Sequence, residues 1–225
     1  SVGRSQIYIA YLPQMTSHSP ILSLTPNRPA ISVSQQQDPS LQPLSRLQIL
    51  MLMGVTAVVF LIISKLWLRF GSVSLLSVSW DAGSILTGIG LGLIITSASF
   101  VVYRLWPAYR RSSDFYLEFV LKPLLLPDII WVGLLPGLSE ELLFRGVMLP
   151  ALGLNATGIA ISSLCFGALH LSGSQQWSYV VWATIVGVLL GFSAVVTHNL
   201  LVPIVAHTFT NLISSYLWKI GQSNS

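Results

Sequence analysis

The sequence predicts an all-α, polytopic transmembrane helical bundle, and three observations predict it. Of 225 residues, 53% are hydrophobic and only 8% are charged, whereas soluble domains carry roughly 25% charged residues. So few charges could not solvate the surface of a soluble fold of this size. Second, apolar stretches long enough to cross a bilayer are flanked by Lys, Arg and Trp, the residues of membrane interfaces. Third, the chain lacks the short alternating segments that a transmembrane β-barrel would need. The expected count is about seven helices, about six of them spanning.

The elements follow in order. Residues 1–46 form a polar tail rich in Ser, Pro and Gln, expected to be disordered and cytoplasmic or stromal. A chain that begins with Ser rather than Met reads as a fragment or a processed product, and the tail's poverty in acids fits a trimmed transit peptide. The first span covers 47–64, bounded by Arg46 and by Lys65, Trp67 and Arg69; it makes about 27 Å of helix, just enough for the hydrocarbon core. A Ser-rich linker leads to a second span at 82–103, marked by Trp80 and Trp106, in which Gly88 and Gly92 form a small-xxx-small pair suited to close helix packing. Residues 104–118 read as an interfacial loop, whose Arg104, Arg110 and Arg111 suit lipid headgroups and place it on the inner side.

A short interfacial helix then breaks at Pro127-Asp128, and a helix over 128–135 is interrupted by Pro136-Gly137. The next helix starts at Ser139 and ends near Leu152-Gly153. Further spans are expected at 157–171, at 177–196 with Gly187 and Gly191 as a second small pair, and at 201–220, with His198-Asn199 as the last turn. The chain thus divides into the tail (1–46), two transmembrane helices with an interfacial loop (47–115) and a helical core (116–221). The net charge of +4 is dispersed, which argues against nucleic acid as a partner and for membrane lipid. A single cysteine, Cys165, rules out an intramolecular disulfide and reads as a packing residue.

Three polar clusters interrupt the apolar core: Glu140-Glu141 with Arg145, Phe166 with His170, and His207 with Asn211. An ionisable group inside a membrane segment is expensive and marks a functional site by default. Residues four apart share a helix face, so Glu141 and Arg145 can pair, while Glu140 projects about 100° away. That leaves one carboxylate neutralised and one free to accept a proton, as a general base must. Alone, the Glu141–Arg145 pair is an ordinary helix stabiliser, and His170 an interfacial helix-end residue. His207 and Asn211 also share a face, where an imidazole and an amide could donate to one developing oxyanion; the bland alternative is an interhelical hydrogen-bonding pair. Together the clusters supply a hydrolytic site without a nucleophilic side chain: Glu140 and His170 polarise water, and His207 and Asn211 hold the oxyanion.

Those three motifs, in that order on successive membrane helices, resemble the CPBP family, which includes type II CAAX prenyl endopeptidases and Abi-type proteins linked to bacteriocins. The resemblance covers residues 128–220. It implies an intramembrane glutamate endopeptidase in a bacterial cytoplasmic or organelle membrane, with Glu140 and His170 activating water, His207 and Asn211 forming the oxyanion site, and Glu141 and Arg145 organising it. It implies a membrane-associated or lipidated protein substrate and no cofactor. The family's older description as metalloproteases keeps zinc open, with Glu140, His170 and His207 as a chemically reasonable trio. The alternatives are a non-catalytic scaffold or immunity factor of the same family, a proton- or ion-coupled carrier and, lowest, a serine peptidase with Ser139 as nucleophile.

Overall fold

Two sequence signals explain where the first membrane helices begin. Ser45 and Gln48 close a capping box that starts α1 (Arg46–Phe70), and Asp81 accepts from the Ser84 amide at 2.8 Å to start α2 (Ala82–Leu105). The computed structural model describes residues 44–223; the predicted disordered tail falls almost wholly outside them. Then follow α3 (Pro107–Leu121), a 3₁₀ turn (Leu126–Asp128), α4 (Ile129–Glu141), a π-helical segment (Leu142–Met148), α5 (Leu149–Leu152), α6 (Ala156–Ala168), a second 3₁₀ turn (Ser174–Gln176), α7 (Trp177–Thr197) and α8 (Leu201–Ser223). Because α4, the π segment and α5 run end to end, the described residues hold seven helices and no strand. The all-α expectation is met, and the chain is an integral multi-pass membrane protein.

Three expectations need correction. Three helices, α1, α2 and the Ser174–Thr197 stretch, are long and apolar enough to span, or four if the bent pair Pro107–Leu121 and Leu126–Leu152 counts as one. The expected six included α6, which has only 13 residues, about 20 Å against a hydrocarbon core of about 30 Å. They also included α8, which is 23 residues long but too polar to qualify. Residues 104–118 are mostly helix rather than loop. Pro107 occupies the first turn of α3, where its missing N–H costs nothing, and Tyr109, Ser112 and Ser113 turn one face inward. Finally, Pro136-Gly137 does not break the chain, and Ser139 lies inside α4 rather than starting a helix.

Tertiary packing holds α4 together there. Gly133 and Gly137 sit so close to α8 that an added Cβ would strike Leu212 and Thr208 respectively. The same device joins α2 to α8: a Cβ on Gly88 would lie 2.6 Å from Val205 Cβ, and one on Gly92 2.9 Å from the Ala206 carbonyl. Gly187 and Gly191 bring α7 onto Ser163 and Ile159 of α6. In lipid, where tails are as apolar as Leu, such backbone proximity replaces hydrophobic burial as the driving force.

The extended linker between α1 and α2 is fastened to the bundle by hydrogen bonds. The Leu76 amide donates to the Gly146 carbonyl at 3.0 Å, and the Leu200 amide to the Ser77 carbonyl at 2.8 Å. Asn199, buried beside the left-handed His198, accepts from the Ser79 and Leu201 amides and donates to the Ser79 carbonyl and the Ser84 hydroxyl. At the other end of the bundle, Arg46 grips Asp128 through two 2.7 Å contacts, joining the start of α1 to the start of α4.

Candidate functional site

Gly133, Gly137 and Glu141 are each four residues apart and form one stripe along α4 facing α8. The glycines let the helices approach, and the stripe then delivers a carboxylate to α8. Glu141 Oε1 lies 2.7 Å from His207 Nδ1 and 2.8 Å from Arg145 Nη1, with the Glu141 and Arg145 side chains fully buried. A carboxylate oxygen only accepts, so both nitrogens donate to it. Arg145 Nη2 donates to the Gly187 carbonyl at 3.0 Å, and the guanidinium lies 4.3 Å from the centre of the Phe166 ring. Arg145 itself stands in the π-helical segment, a geometry that recurs at functional sites.

The other predicted residues meet on the neighbouring side. Glu140, His170, His207 and Asn211 all line one cavity of about 570 Å³ whose walls are otherwise largely apolar and aromatic. They come from α4, from the turn after α6 and from α8. Glu140 Oε2 is buried and meets no protein donor. His170 Nδ1 lies 2.9 Å from the Phe166 carbonyl; a carbonyl only accepts, so Nδ1 carries the proton and Nε2 of the neutral ring keeps its lone pair. The same logic orients Asn211, whose Nδ2 faces the Val132 carbonyl at 3.5 Å. Glu141 and Arg145 do not line the cavity; they stand behind His207 and Phe166.

Aromatic side chains complete the wall, and sequence reasoning missed them. Tyr116 stacks on Tyr179 with centroids 4.3 Å apart, and Tyr179 lies 5.9 Å from the His170 ring. The Tyr116 hydroxyl donates to the His170 carbonyl. No polar motif flags these tyrosines: Tyr116 lies in the charge-rich α3 and Tyr179 in the apolar α7. The Gly133/Gly137 spacing was visible as a close-packing stripe in line with Glu141, but it does not say which helix that stripe meets.

The zinc alternative can be tested on the donors. Glu140, His170 and His207 share the cavity, but among the described residues no three His, Cys, Asp or Glu side chains gather as a metal site. His207 Nδ1 is held by Glu141 and His170 Nδ1 by the Phe166 carbonyl, an arrangement that leaves each Nε2 uncommitted.

Fold and site together define a class: a helical membrane protein that gathers an acid, two imidazoles and an amide around one apolar cavity. Residues 122–213 match the family model "Type II CAAX prenyl endopeptidase Rce1-like", so this segment is similar to that family. The match spans all six predicted site residues. The chain is also 31% identical over 120 residues to "Uncharacterized protein YpbD" of Bacillus subtilis (strain 168), covering 53% of this chain and 61% of that relative. No solved structure matches significantly.

Proposed function

We propose that this protein is an intramembrane endopeptidase of the glutamate type, which hydrolyses a peptide bond of a membrane-associated, lipidated substrate. The observation that carries the reading is the convergence of Glu140, His170, His207 and Asn211 on one cavity within an apolar bundle. Prenylated CAAX peptides are the substrate class the family's description favours, and the cavity's apolar walls suit a lipidated ligand.

The geometry supports a division of roles. Glu140 brings an unpartnered carboxylate oxygen and His170 a free Nε2 lone pair. Between them they take a proton from water as its oxygen bonds to the scissile carbonyl carbon. The carbonyl oxygen becomes an oxyanion, and Asn211 Nδ2–H and His207 Nε2–H donate to it. His207 donates through Nε2 in the ring form that carries both protons, and Glu141 at Nδ1 supplies the counter-charge. As the tetrahedral adduct collapses, the C–N bond breaks and the proton held by Glu140 or His170 passes to the departing amine. Glu141 and Arg145 orient His207 and do not touch substrate.

The test is cleavage of a farnesylated CAAX peptide by purified protein in liposomes. Glu140→Ala and His170→Ala abolish turnover, and His207→Ala or Asn211→Ala lowers kcat by about 10²–10³. Full turnover by Glu140→Ala overturns the reading.

A further inference from the structure

Pro136 stands in the middle of α4, one helical turn before Glu140, and the helix continues through it. A proline has no N–H, so the Val132 carbonyl is deprived of the donor that an uninterrupted helix would supply at position 136. That carbonyl is the one Asn211 reaches, through Nδ2 at 3.5 Å from the facing helix α8. Val132, Pro136 and Asn211 all line the cavity.

We infer that Pro136 is a positioning residue: by withholding a backbone donor it leaves the Val132 carbonyl open to Asn211, and this fixes which way the Asn211 amide faces. An amide nitrogen carries two protons, whereas its oxygen only accepts. With one N–H turned to Val132, the oxygen cannot occupy that side, and the second N–H is directed by the planar amide rather than by chance. Without the anchor the two amide orientations compete, and in one of them an acceptor oxygen confronts the developing oxyanion. The inference rests on the proposed oxyanion role of Asn211. It also gives a chemical reason for keeping proline where helix propensity disfavours it by about 3 kcal/mol.

Pro136→Ala and Pro136→Val test it, since both restore the N–H and the second keeps nearly the volume of proline. Alanine is the best helix former, so the first variant should fold. With the farnesylated CAAX peptide in liposomes, both lower kcat about tenfold and leave KM unchanged, a smaller loss than deletion of the donor itself. Pro136→Ala added to Asn211→Ala has no further effect. The side-chain amide resonances of Asn211, in protein labelled with ¹⁵N-asparagine, shift in both proline variants without any substrate. Unchanged resonances, unchanged kcat, or effects of Pro136→Ala and Asn211→Ala that multiply overturn the inference while leaving the oxyanion reading intact. Full activity in Asn211→Ala alone instead overturns the oxyanion reading, and the inference with it.

Discussion

Removing one charge of the buried Glu141–Arg145 pair should harm the protein more than removing both. The two side chains are fully buried and meet at 2.8 Å. In Glu141→Leu, a guanidinium that cannot lose its proton stays in the bundle with the Gly187 carbonyl, two aromatic rings and the charge of Glu140 in place of its direct carboxylate partner. In Arg145→Met, the carboxylate keeps His207 but loses its main cation, and the Gly187 carbonyl loses its donor. Breaking a buried pair from either side costs about 3–5 kcal/mol, a third or more of a typical folding free energy of about 5–15 kcal/mol. Independent losses would add to roughly 6–10 kcal/mol. The combined Glu141→Leu/Arg145→Met variant removes both charges and leaves mainly His207 Nδ1 unsatisfied, since the Gly187 carbonyl lies mid-helix in α7, so it should cost only about 1–3 kcal/mol. Equilibrium unfolding in mixed micelles on a denaturing-detergent gradient measures all three. A double variant destabilised by the sum of the singles would refute the coupling. The double variant should also be folded and inactive, because His207 has lost the carboxylate at Nδ1.

Gly187→Ala places a methyl group 3.1 Å from Ser163 Cβ and 3.3 Å from Arg145 Nη2; a crowded site of this kind costs about 1–3 kcal/mol, and both melting temperature and peptide turnover should fall, with unchanged turnover counting against the role given to Arg145. Asn199→Ala strips partners from the Ser79 amide and the buried Leu201 amide, the latter loss costing about 1–3 kcal/mol, so limited proteolysis should cut the linker at 71–81 faster than in wild type. Asp81 is held below the usual carboxylate range, chiefly by the Ser84 hydroxyl and then by the Ser84 amide. A depressed folded-state value means that this cap stabilises the fold above the ordinary carboxylate pKa and stops doing so as pH falls through the depressed one. Asp81→Asn should therefore flatten the acid side of the melting temperature against pH, and an unaltered slope would remove the argument.

Helix positions were legible where chemistry is local. The second span was expected at 82–103 and occupies Ala82–Leu105, because Asp81 caps one end and Trp106 closes the other. The last two helices, expected at 177–196 and 201–220, occupy Trp177–Thr197 and Leu201–Ser223. Misreadings occurred where tertiary contacts overrule local preference. Pro136-Gly137 looks like a break from inside the sequence, yet Gly137 is pressed against Thr208 of α8 and Gly133, one turn earlier, against Leu212, and packing outweighs the missing bond. Residues 104–118 look like a loop because the buried face of α3 is built from Tyr and Ser rather than aliphatic side chains. The site followed the same rule. The pairing of Glu141 with Arg145 is an i,i+4 contact and could be read directly. The contact of Glu141 with His207 spans 66 positions, and no short-range pattern announces it.

The two adjacent glutamates show how one helix can serve two chemistries. Successive residues of a helix point about 100° apart, so a stripe that aims Glu141 at α8 must turn Glu140 away from that contact. The Gly133–Gly137 approach fixes which residue is which: it sinks Glu141 into the α4–α8 seam, where Arg145 and His207 meet its Oε1. Glu140 is left on the cavity wall with an unpartnered oxygen. Each carboxylate keeps a buried Oε2 without a protein donor, but of the two only Glu141 gives its Oε1 to two side-chain donors, and only Glu140 lines the cavity. The order Glu-Glu is therefore not redundant. Sliding the stripe by one residue would put Glu140 in the α4–α8 seam and Glu141 on the cavity wall, so the helix register set by two glycines decides which carboxylate the proposed mechanism can use.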